Sequence, residues 1–170
     1  MKIFLTGKPG CGKSFVVEKV IEKLKQKGIK VGGFITPEIR EGGKRVGFCV
    51  KDIFSNEFGI LASKDIKIGP RVGSYGINLE DFERVALKAI DFALKNSEII
   101  VIDEIGKMEF LSQKFKEKLG EVLLSEKPLI AILHRNFLKK FEDFGKIFEV
   151  TKDNRNEVQE LVLKLIEKSI

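Results

Sequence analysis

The sequence predicts an α/β fold: a mainly parallel β-sheet with helices on both faces and an antiparallel β-meander inserted at 37–63. Three observations support it. Apolar strand-like runs alternate with amphipathic helical patterns along most of the chain. The run EIIVID near residue 100 is continuously apolar, which is typical of a parallel strand covered on both faces. Within 37–63, turn signals at Gly42-Gly43 and Ser55-Asn56 separate short β-rich runs, which indicates the meander.

Before the meander, the sequence predicts a strand, a helix and a second strand. Residues 2–6 form an apolar strand, and a helix follows a glycine-rich loop. Gly28 ends this helix, and KVGGFIT forms the next strand. The i, i+3, i+4, i+7 spacing of one buried helical stripe is met by Val17, Val20, Ile21 and Leu24.

The elements after the meander continue the alternation. DIKIGPRVGSYGIN is a loop or a strand excursion, and Asn78 caps a helix. EIIVID is followed by a helix over 112–124, the strand PLIAIL, a short helix from Asn136, the strand KIFEV and a terminal helix. The predicted buried positions of the Asn78 helix are Phe82, Val85, Ala86, Ala89, Ile90 and Ala93. Those of the terminal helix are Val158, Leu161, Val162, Leu165 and Ile166.

Size and composition narrow the class of protein. The chain has 170 residues, of which 43% are hydrophobic and 33% charged, so we expect one globular domain over 1–170. Its 2 cysteines, without CxxC or a histidine cluster, argue against a disulfide framework or a zinc site. No signal-like or membrane-spanning run is present, so we expect a cytoplasmic protein without a membrane partner. The Lys- and Glu-rich composition is common in proteins from hot environments.

The net charge of +6 favours acidic partners, and nucleotides satisfy this as well as nucleic acids do. Lysines alternate with glutamates in VEKVIEKLKQK, which indicates a solvated helix face. A dedicated nucleic-acid surface is therefore not favoured.

The glycine-rich loop after the first strand predicts a phosphate-binding site. Its glycines let successive backbone N–H groups point at phosphate oxygens, and the following helix start adds its positive dipole end. Lys13 should reach the β- and γ-phosphates, and the Ser14 hydroxyl should ligate Mg²⁺. An ordinary βα turn is the alternative, which the flanking strand and amphipathic helix argue against. The pattern GxxxxGK[ST] is matched by Gly7, Lys8, Pro9, Gly10, Cys11, Gly12, Lys13 and Ser14.

Cys11 admits two interpretations. A thiolate is favoured at a helix start, which would make this residue sensitive to oxidation. We prefer the simpler interpretation of a small side chain tolerated at a variable position of the loop.

An acidic pair ends the strand EIIVID. Asp103 should lie beside the phosphate loop and hold Mg²⁺ through water. Glu104 follows directly and can accept a proton from a water in line with the γ-phosphate, or orient that water. The pair could instead only solvate a strand end, but its combination with a complete phosphate loop favours nucleotide hydrolysis.

Three segments together resemble a known family. GKPGCGKS near residue 7, VIDEIGKMEF near residue 101 and ILHRNF near residue 132 are similar to the thermophilic nucleoside-triphosphatase family, whose vertebrate relative is called cancer-related nucleoside-triphosphatase. The resemblance implies a three-layer P-loop NTPase fold of RecA/AAA-like type. It also implies slow, Mg²⁺-dependent hydrolysis of ATP, GTP, CTP and UTP with weak base preference.

The resemblance extends the predicted site. It implies that PLIAIL is inserted between the phosphate-loop strand and the acidic-pair strand, so that His134 and Arg135 face the γ-phosphate. His134 could position the γ-phosphate or the water, or make structural hydrogen bonds. Arg135 and Lys107 could neutralise transition-state charge, or could be surface residues. Gly106 and Lys107 complete the predicted nucleotide-binding set.

Two alternatives remain open. A small nucleotide or nucleoside kinase would need an arginine-rich lid and an acceptor pocket, and arginine is sparse here, with Arg71 and Arg84 the ones between the meander and the acidic pair. A slow nucleotide-dependent switch could regulate RNA or a protein, with the meander as the surface that changes, although the meander is more simply a decoration of the fold. The absence of a helical lid domain argues against a ring assembly, so we expect a monomer.

Overall fold

Ten strands form one sheet in the computed structural model, which describes residues 1–170. The strands are β1 (Lys2–Thr6), β2 (Val31–Ile35), β3 (Glu38–Glu41), β4 (Lys44–Asp52), β5 (Phe58–Ser63), β6 (Arg71–Val72), β7 (Tyr75–Ile77), β8 (Ile99–Ile105), β9 (Leu129–Leu133) and β10 (Lys146–Glu149). The helices are α1 (Lys13–Gln26), α2 (Leu79–Asn96), α3 (Gln113–Leu124), α4 (Leu138–Phe141) and α5 (Arg155–Glu167). Two short 3₁₀ turns are Glu109–Leu111 and Arg135–Phe137.

The sheet is parallel at one end and antiparallel at the other. Its order is β10-β1-β9-β8-β2-β4-β5-β7-β6, and β3 pairs with β4. The strands from β10 to β2 run parallel, and β9 lies between β1 and β8 as the resemblance implied. The predicted α/β fold class is confirmed. The meander is not a separate layer, because β4 pairs antiparallel with β2 and so continues the same sheet.

Helices cover the two faces of the sheet, so the fold has three layers. Because side chains alternate along a strand, Leu5 in β1 joins the core that contains α1 and α5, whereas Phe4 joins the core beneath α2 and α3. The same alternation along β8 places Val101 in the first core and Ile102 in the second. No helix combines the length and apolar character needed to cross a membrane.

The helix patterns are confirmed most closely on α2. Asn78 accepts a hydrogen bond from the Asp81 backbone N–H, and every predicted apolar position of this helix is buried. In α5, Val158, Val162 and Ile166 are buried as predicted, but Leu161 is 43% exposed and Leu163 is buried in its place. This helix packs against α1 and shares one core with α1, β1 and β9, so its buried face is set by two neighbours rather than by the sheet alone. In α1, Ile21 is likewise only partly buried, whereas Val16 is buried.

The acidic-pair strand extends further than predicted. It continues through Glu104 to Ile105, because Ile105 pairs with Leu133 beyond a register shift in the β8–β9 ladder. The side chain of Glu104 is therefore oriented by a strand rather than by a loop.

Candidate active site

The loop between β1 and α1 requires glycine at two positions. Gly12, the residue before α1, has φ of 106°, and a Cβ there would come within 2.9 Å of the Arg155 Cδ. At Gly7 a Cβ would come within 2.5 Å of the Val150 carbonyl oxygen. No side chain caps α1, so the first N–H groups of the helix remain available to an anion.

The two polar side chains that begin α1 contact different parts of the structure. The Lys13 Nζ donates to the Gly7 carbonyl oxygen at 2.7 Å, so the ammonium group lies over the loop. The Ser14 hydroxyl donates to the Asp103 Oδ2 at 3.0 Å, which connects α1 to the end of β8.

The Ser14–Asp103 pair has the chemistry of a Mg²⁺ site. Mg²⁺ prefers hard oxygen ligands, retains several waters and usually takes only one or two protein ligands beside the phosphates of a nucleotide. A hydroxyl and a carboxylate oxygen 3.0 Å apart fit that donor set. The structure contains no cluster of three or more His, Cys, Asp or Glu residues that would suit a metal held by the protein alone.

Asp103 is held in a setting that disfavours its charge. Burial, followed by the neighbouring Glu104 carboxylate, raises the pKa of Asp103 to about 7, although the hydrogen bond from Ser14 opposes this shift. The Thr36 hydroxyl donates to the Asp103 backbone oxygen at 2.8 Å and ties the end of β2 to β8. Burial also raises the pKa of Glu104, and the charge of Lys13 opposes it.

A third carboxyl group, which the sequence analysis missed, lies behind the acidic pair. Glu109 is 3% exposed, and burial, followed by the charge of Glu104, raises its pKa well above the ordinary value. A Cβ on Gly106 would come within 2.9 Å of the Glu109 Oε1 and 3.3 Å of the Glu104 Cδ, so both side chains pack against this glycine. The position of Glu109 between Met108 and Phe110 was the available signal.

One cavity of about 500 Å³ brings most of the predicted residues together. The predicted residues that line it are Gly7, Pro9, Gly10, Lys13, Ser14, Asp103, Glu104, His134 and Arg135. The predicted residues outside its lining are Lys8, Cys11, Gly12, Gly106 and Lys107.

His134 and Arg135, which follow β9, line the cavity between the phosphate loop after β1 and the acidic pair of β8. The His134 Nδ1 accepts a hydrogen bond from the Asn136 backbone N–H at 3.1 Å, so its other ring nitrogen carries the proton. Burial, then the charges of Lys107, Arg135 and Lys13, lower the pKa of His134, and the ring is neutral at pH 7. Arg135 and Lys107 are both exposed.

The other wall of the cavity comes mainly from residues that the sequence analysis did not select. Glu18 contributes from α1, four residues after Ser14 on the same helix face, a spacing that could have revealed it. The remaining polar contributions come from the meander and the segment before it: Thr36, Glu38 and Arg45, beside the ring of Phe48. No local motif marks these residues.

A second cavity of about 360 Å³ adjoins the first at Pro9, which lines both. It lies on the β10 side of the phosphate loop. Its lining consists of Lys8, Pro9, Cys11, Glu149, Val150, Thr151 and Lys152. Cys11 is buried and packs in the core with α1 and α5.

Comparison with known proteins places this geometry in a family. A family model described as NTPase matches residues 2–163. The nucleoside-triphosphatase THEP1 of Methanocaldococcus jannaschii is 50% identical over 167 residues, which cover 98% of this chain and 97% of that protein. The chain belongs to the THEP1 nucleoside-triphosphatase family. The predicted family and enzyme class are thereby confirmed.

Other relatives are also similar to this chain over nearly its whole length. The nucleoside-triphosphatase THEP1 of Pyrococcus abyssi is 44% identical and covers 99% of this chain and 93% of its own. The crystal structure of THEP1 from Aquifex aeolicus superposes with a TM-score of 0.87 at 31% identity, covering 98% of this chain and 99% of that one. The solution structure of a human cancer-related nucleoside triphosphatase gives 0.82 at 33% identity, covering 99% and 98%. The predicted P-loop NTPase fold is confirmed by these structures.

Proposed function

We propose that this nucleoside-triphosphatase is Mg²⁺-dependent and uses Glu104 to activate the water that attacks the γ-phosphate. The products are a nucleoside diphosphate and inorganic phosphate. The observation that supports this most strongly is the single cavity shared by Lys13, Ser14, Asp103 and Glu104, with Ser14 and Asp103 in direct contact.

In this proposal the phosphate loop binds the triphosphate. The free N–H groups at the start of α1 donate to the phosphate oxygens, and Lys13 exchanges its bond to the Gly7 carbonyl for the β- and γ-phosphates. Ser14 and Asp103 hold Mg²⁺, which neutralises charge on the phosphates when bound. Lys8, Pro9, Gly10, Cys11 and Gly12 contribute backbone to this binding, and Gly106 keeps room for the Glu104 side chain.

Glu104 removes the proton of the attacking water. The water oxygen forms the new bond to phosphorus, the bond from phosphorus to the β-γ bridging oxygen breaks, and the electron pair leaves with the diphosphate. The proton passes to the Glu104 carboxylate. Burial raises the pKa of this carboxyl group, which makes it a stronger base.

Cations around the cavity stabilise the negative charge on the transferred phosphoryl group. Lys13 contributes from the loop, and Arg135 from the end of β9. His134, neutral at pH 7, donates from its protonated ring nitrogen to the γ-phosphate or to the water. Lys107 is exposed outside the cavity lining and contributes through its long-range field alone.

The nucleoside occupies the second cavity. The acidic pair lies at one end of the phosphate loop, so the nucleoside end of the substrate extends past Pro9 toward the opposite end. The lining there includes lysine, glutamate and threonine side chains but no aromatic ring that would stack on a base. Weak base preference follows from this lining.

A panel of ATP, GTP, CTP and UTP, assayed for phosphate release with Mg²⁺ and with a chelator, tests the proposal. We expect release from all four with Mg²⁺ and no added acceptor, and none with the chelator. Release that begins only after a nucleoside or nucleotide is added would assign a phosphotransferase instead.

A Glu104→Gln variant tests the mechanism. We expect a fall in turnover of about 10²–10⁴-fold with nucleotide binding retained, because the amide cannot accept the proton. Glu22→Gln, which removes an equal charge from the exposed face of α1, is the matched control. Turnover unchanged by Glu104→Gln would remove this residue from the mechanism.

A further inference from the structure

The meander supplies a basic side chain to the same cavity as the phosphate loop. Arg45 lies near the start of β4, and both Arg45 and Phe48 line the cavity. Glu38, at the start of β3, lies opposite Phe48 across the β3–β4 ladder and also lines it. Nothing in the mechanism described above uses Arg45.

Arg45 is held in one orientation by contacts on several sides. Its Nε donates to the Tyr75 hydroxyl at 2.9 Å, and its Nη1 donates to the Glu38 Oε1 at 3.3 Å. The guanidinium carbon lies 5.3 Å from the ring centre of Phe48 and 5.8 Å from that of Tyr75. The Nη2 makes no hydrogen bond within the protein, so the guanidinium retains free donors.

Glu38 does not depend on Arg45 for charge compensation. Its Oε2 accepts a hydrogen bond from the Arg40 Nε at 3.0 Å and forms an ion pair with the Arg40 Nη2 at 2.8 Å, so Arg40 compensates the other carboxylate oxygen. Arg45 could therefore turn its Nη1 toward an anion in the cavity and leave Glu38 paired.

The sheet order identifies which part of the substrate faces Arg45. The cavity assigned to the nucleoside adjoins the loop on the β10 side, whereas β4 lies beyond β8 and β2 at the opposite side. Asp103 and Glu104 at the end of β8 are between the two. The phosphate furthest from the nucleoside is therefore the one nearest to β4.

We propose that Arg45 binds the γ-phosphate of the nucleoside triphosphate and stabilises its charge during hydrolysis. This inference rests on the proposed function, because it uses the same orientation of the substrate in the cavity. Arg45 approaches from the meander side, opposite the nucleoside, and its planar guanidinium can donate two parallel hydrogen bonds to phosphate oxygens.

The test compares the affinity for a triphosphate with that for a diphosphate. The probes are the β,γ-imido analogue of ATP, which resists hydrolysis, and ADP, both with Mg²⁺. We expect Arg45→Gln to weaken binding of the imido analogue by about 10-fold or more and to leave ADP binding within about twofold. Turnover of ATP should fall by about 10²-fold or more. Arg45→Lys should recover part of both losses, because it restores the charge without the two-pronged geometry.

Arg40→Gln is the matched control, since Arg40 pairs with the same glutamate in the same hairpin but does not line the cavity. It should leave the ratio of the two affinities and the turnover within about twofold of wild type. Equal weakening of both nucleotides by Arg45→Gln, or a wild-type ratio in both Arg45 variants, overturns the proposal. If Arg45→Gln loses binding through misfolding, its melting curve would show this. The ratio of the two nucleotide affinities in Arg45→Lys then tests the proposal.

The two proposals fail in different ways. Wild-type protein that releases no phosphate would refute the proposed hydrolysis. The affinity ratio for a non-hydrolysable analogue would still measure whether Arg45 contacts the γ-phosphate.

Discussion

The phosphate loop and the meander face the same cavity but are constructed differently. The loop presents backbone N–H groups. Its shape depends on Gly7 and Gly12, where a Cβ would clash with neighbouring residues. The meander presents side chains, Glu38, Arg45 and Phe48, from paired antiparallel strands. Backbone donors recognise any triphosphate, whereas side chains can be replaced one at a time without altering the chain path. With Arg45 on the γ-phosphate as proposed, the meander is the region where the preference for triphosphate over diphosphate and the rate can be changed by single substitutions.

Among the cations around the cavity, Lys13 of the phosphate loop should have the largest effect on turnover when it is removed. Lys13→Ala should lower turnover by about 10³-fold, because a positioned cation is lost where charge develops. Steady-state phosphate release measures this, with Lys19→Ala, an exposed lysine of the same helix, as the control. If the Lys13 variant loses less than Arg45→Gln, the meander rather than the loop carries the main stabilisation.

Substitutions at two glycines compare the rigidity of the parallel part of the sheet with that of the meander. At Gly33 in β2, a Cβ would overlap the Val101 carbonyl oxygen, and φ is 112°. At Gly47 in β4, it would overlap the Ala62 carbonyl oxygen, next to a register shift that can absorb movement. We expect Gly33→Ala to lower the free energy of unfolding by about 3–4 kcal/mol and Gly47→Ala by about half as much. Urea denaturation measures both, and equal losses would mean that the meander is as rigid as the parallel strands.

The buried acidic pair predicts a pH-dependent stability without Mg²⁺. The pKa of Asp103 is raised from 3.8 to about 7, so the folded state binds the extra proton between these values. Its contribution to the free energy of unfolding is therefore present below pH 4 and is lost as the pH rises through about 7. We expect Asp103→Asn to be more stable than wild type at pH 8 by about 2 kcal/mol, less than the raised pKa alone would give, because the buried amide N–H groups gain no acceptor. Melting curves at pH 5 and pH 8 with a chelator test this, and a wild-type slope in the variant would contradict it.

His134 should have a smaller effect on rate. His134→Ala should reduce turnover by about 10-fold through the loss of one neutral donor, and His134→Asn should restore part of it, because Asn can also accept from the Asn136 N–H. Since the pKa of His134 is lowered, its titration should not produce an inflection in turnover above pH 6.5. A His134-dependent inflection there would show that the charged ring takes part.

Lys107 should have the smallest effect. It is exposed and does not line the cavity, so Lys107→Ala should change turnover by less than about twofold. Phosphate release under saturating ATP measures this. A loss of 10-fold or more would assign the predicted transition-state role to Lys107 after all.

The fold could be read from the sequence wherever a pattern was local. Every apolar position expected in α2 is buried, because this helix packs with one face on the sheet. In α5 three expected positions are buried, but Leu161 is exposed and Leu163 is buried instead, on a helix that packs against α1 as well as facing the sheet. The end of β8 was placed two residues early, because its last pairing, Ile105 with Leu133, depends on a register shift between separate strands.

The sequence by itself determined the phosphate loop, the acidic pair and the family resemblance. These features are contiguous, and glycine spacing or adjacent carboxyl groups express their chemistry within a few residues. Tertiary structure alone decided that Glu109 lies behind the acidic pair and that Arg45 reaches the cavity. The reason is physical: β4 pairs with β2, and β2 pairs with β8, which is distant along the chain and carries the acidic pair. The apolar neighbours of Glu109 indicate burial, but only tertiary packing places it beside Glu104.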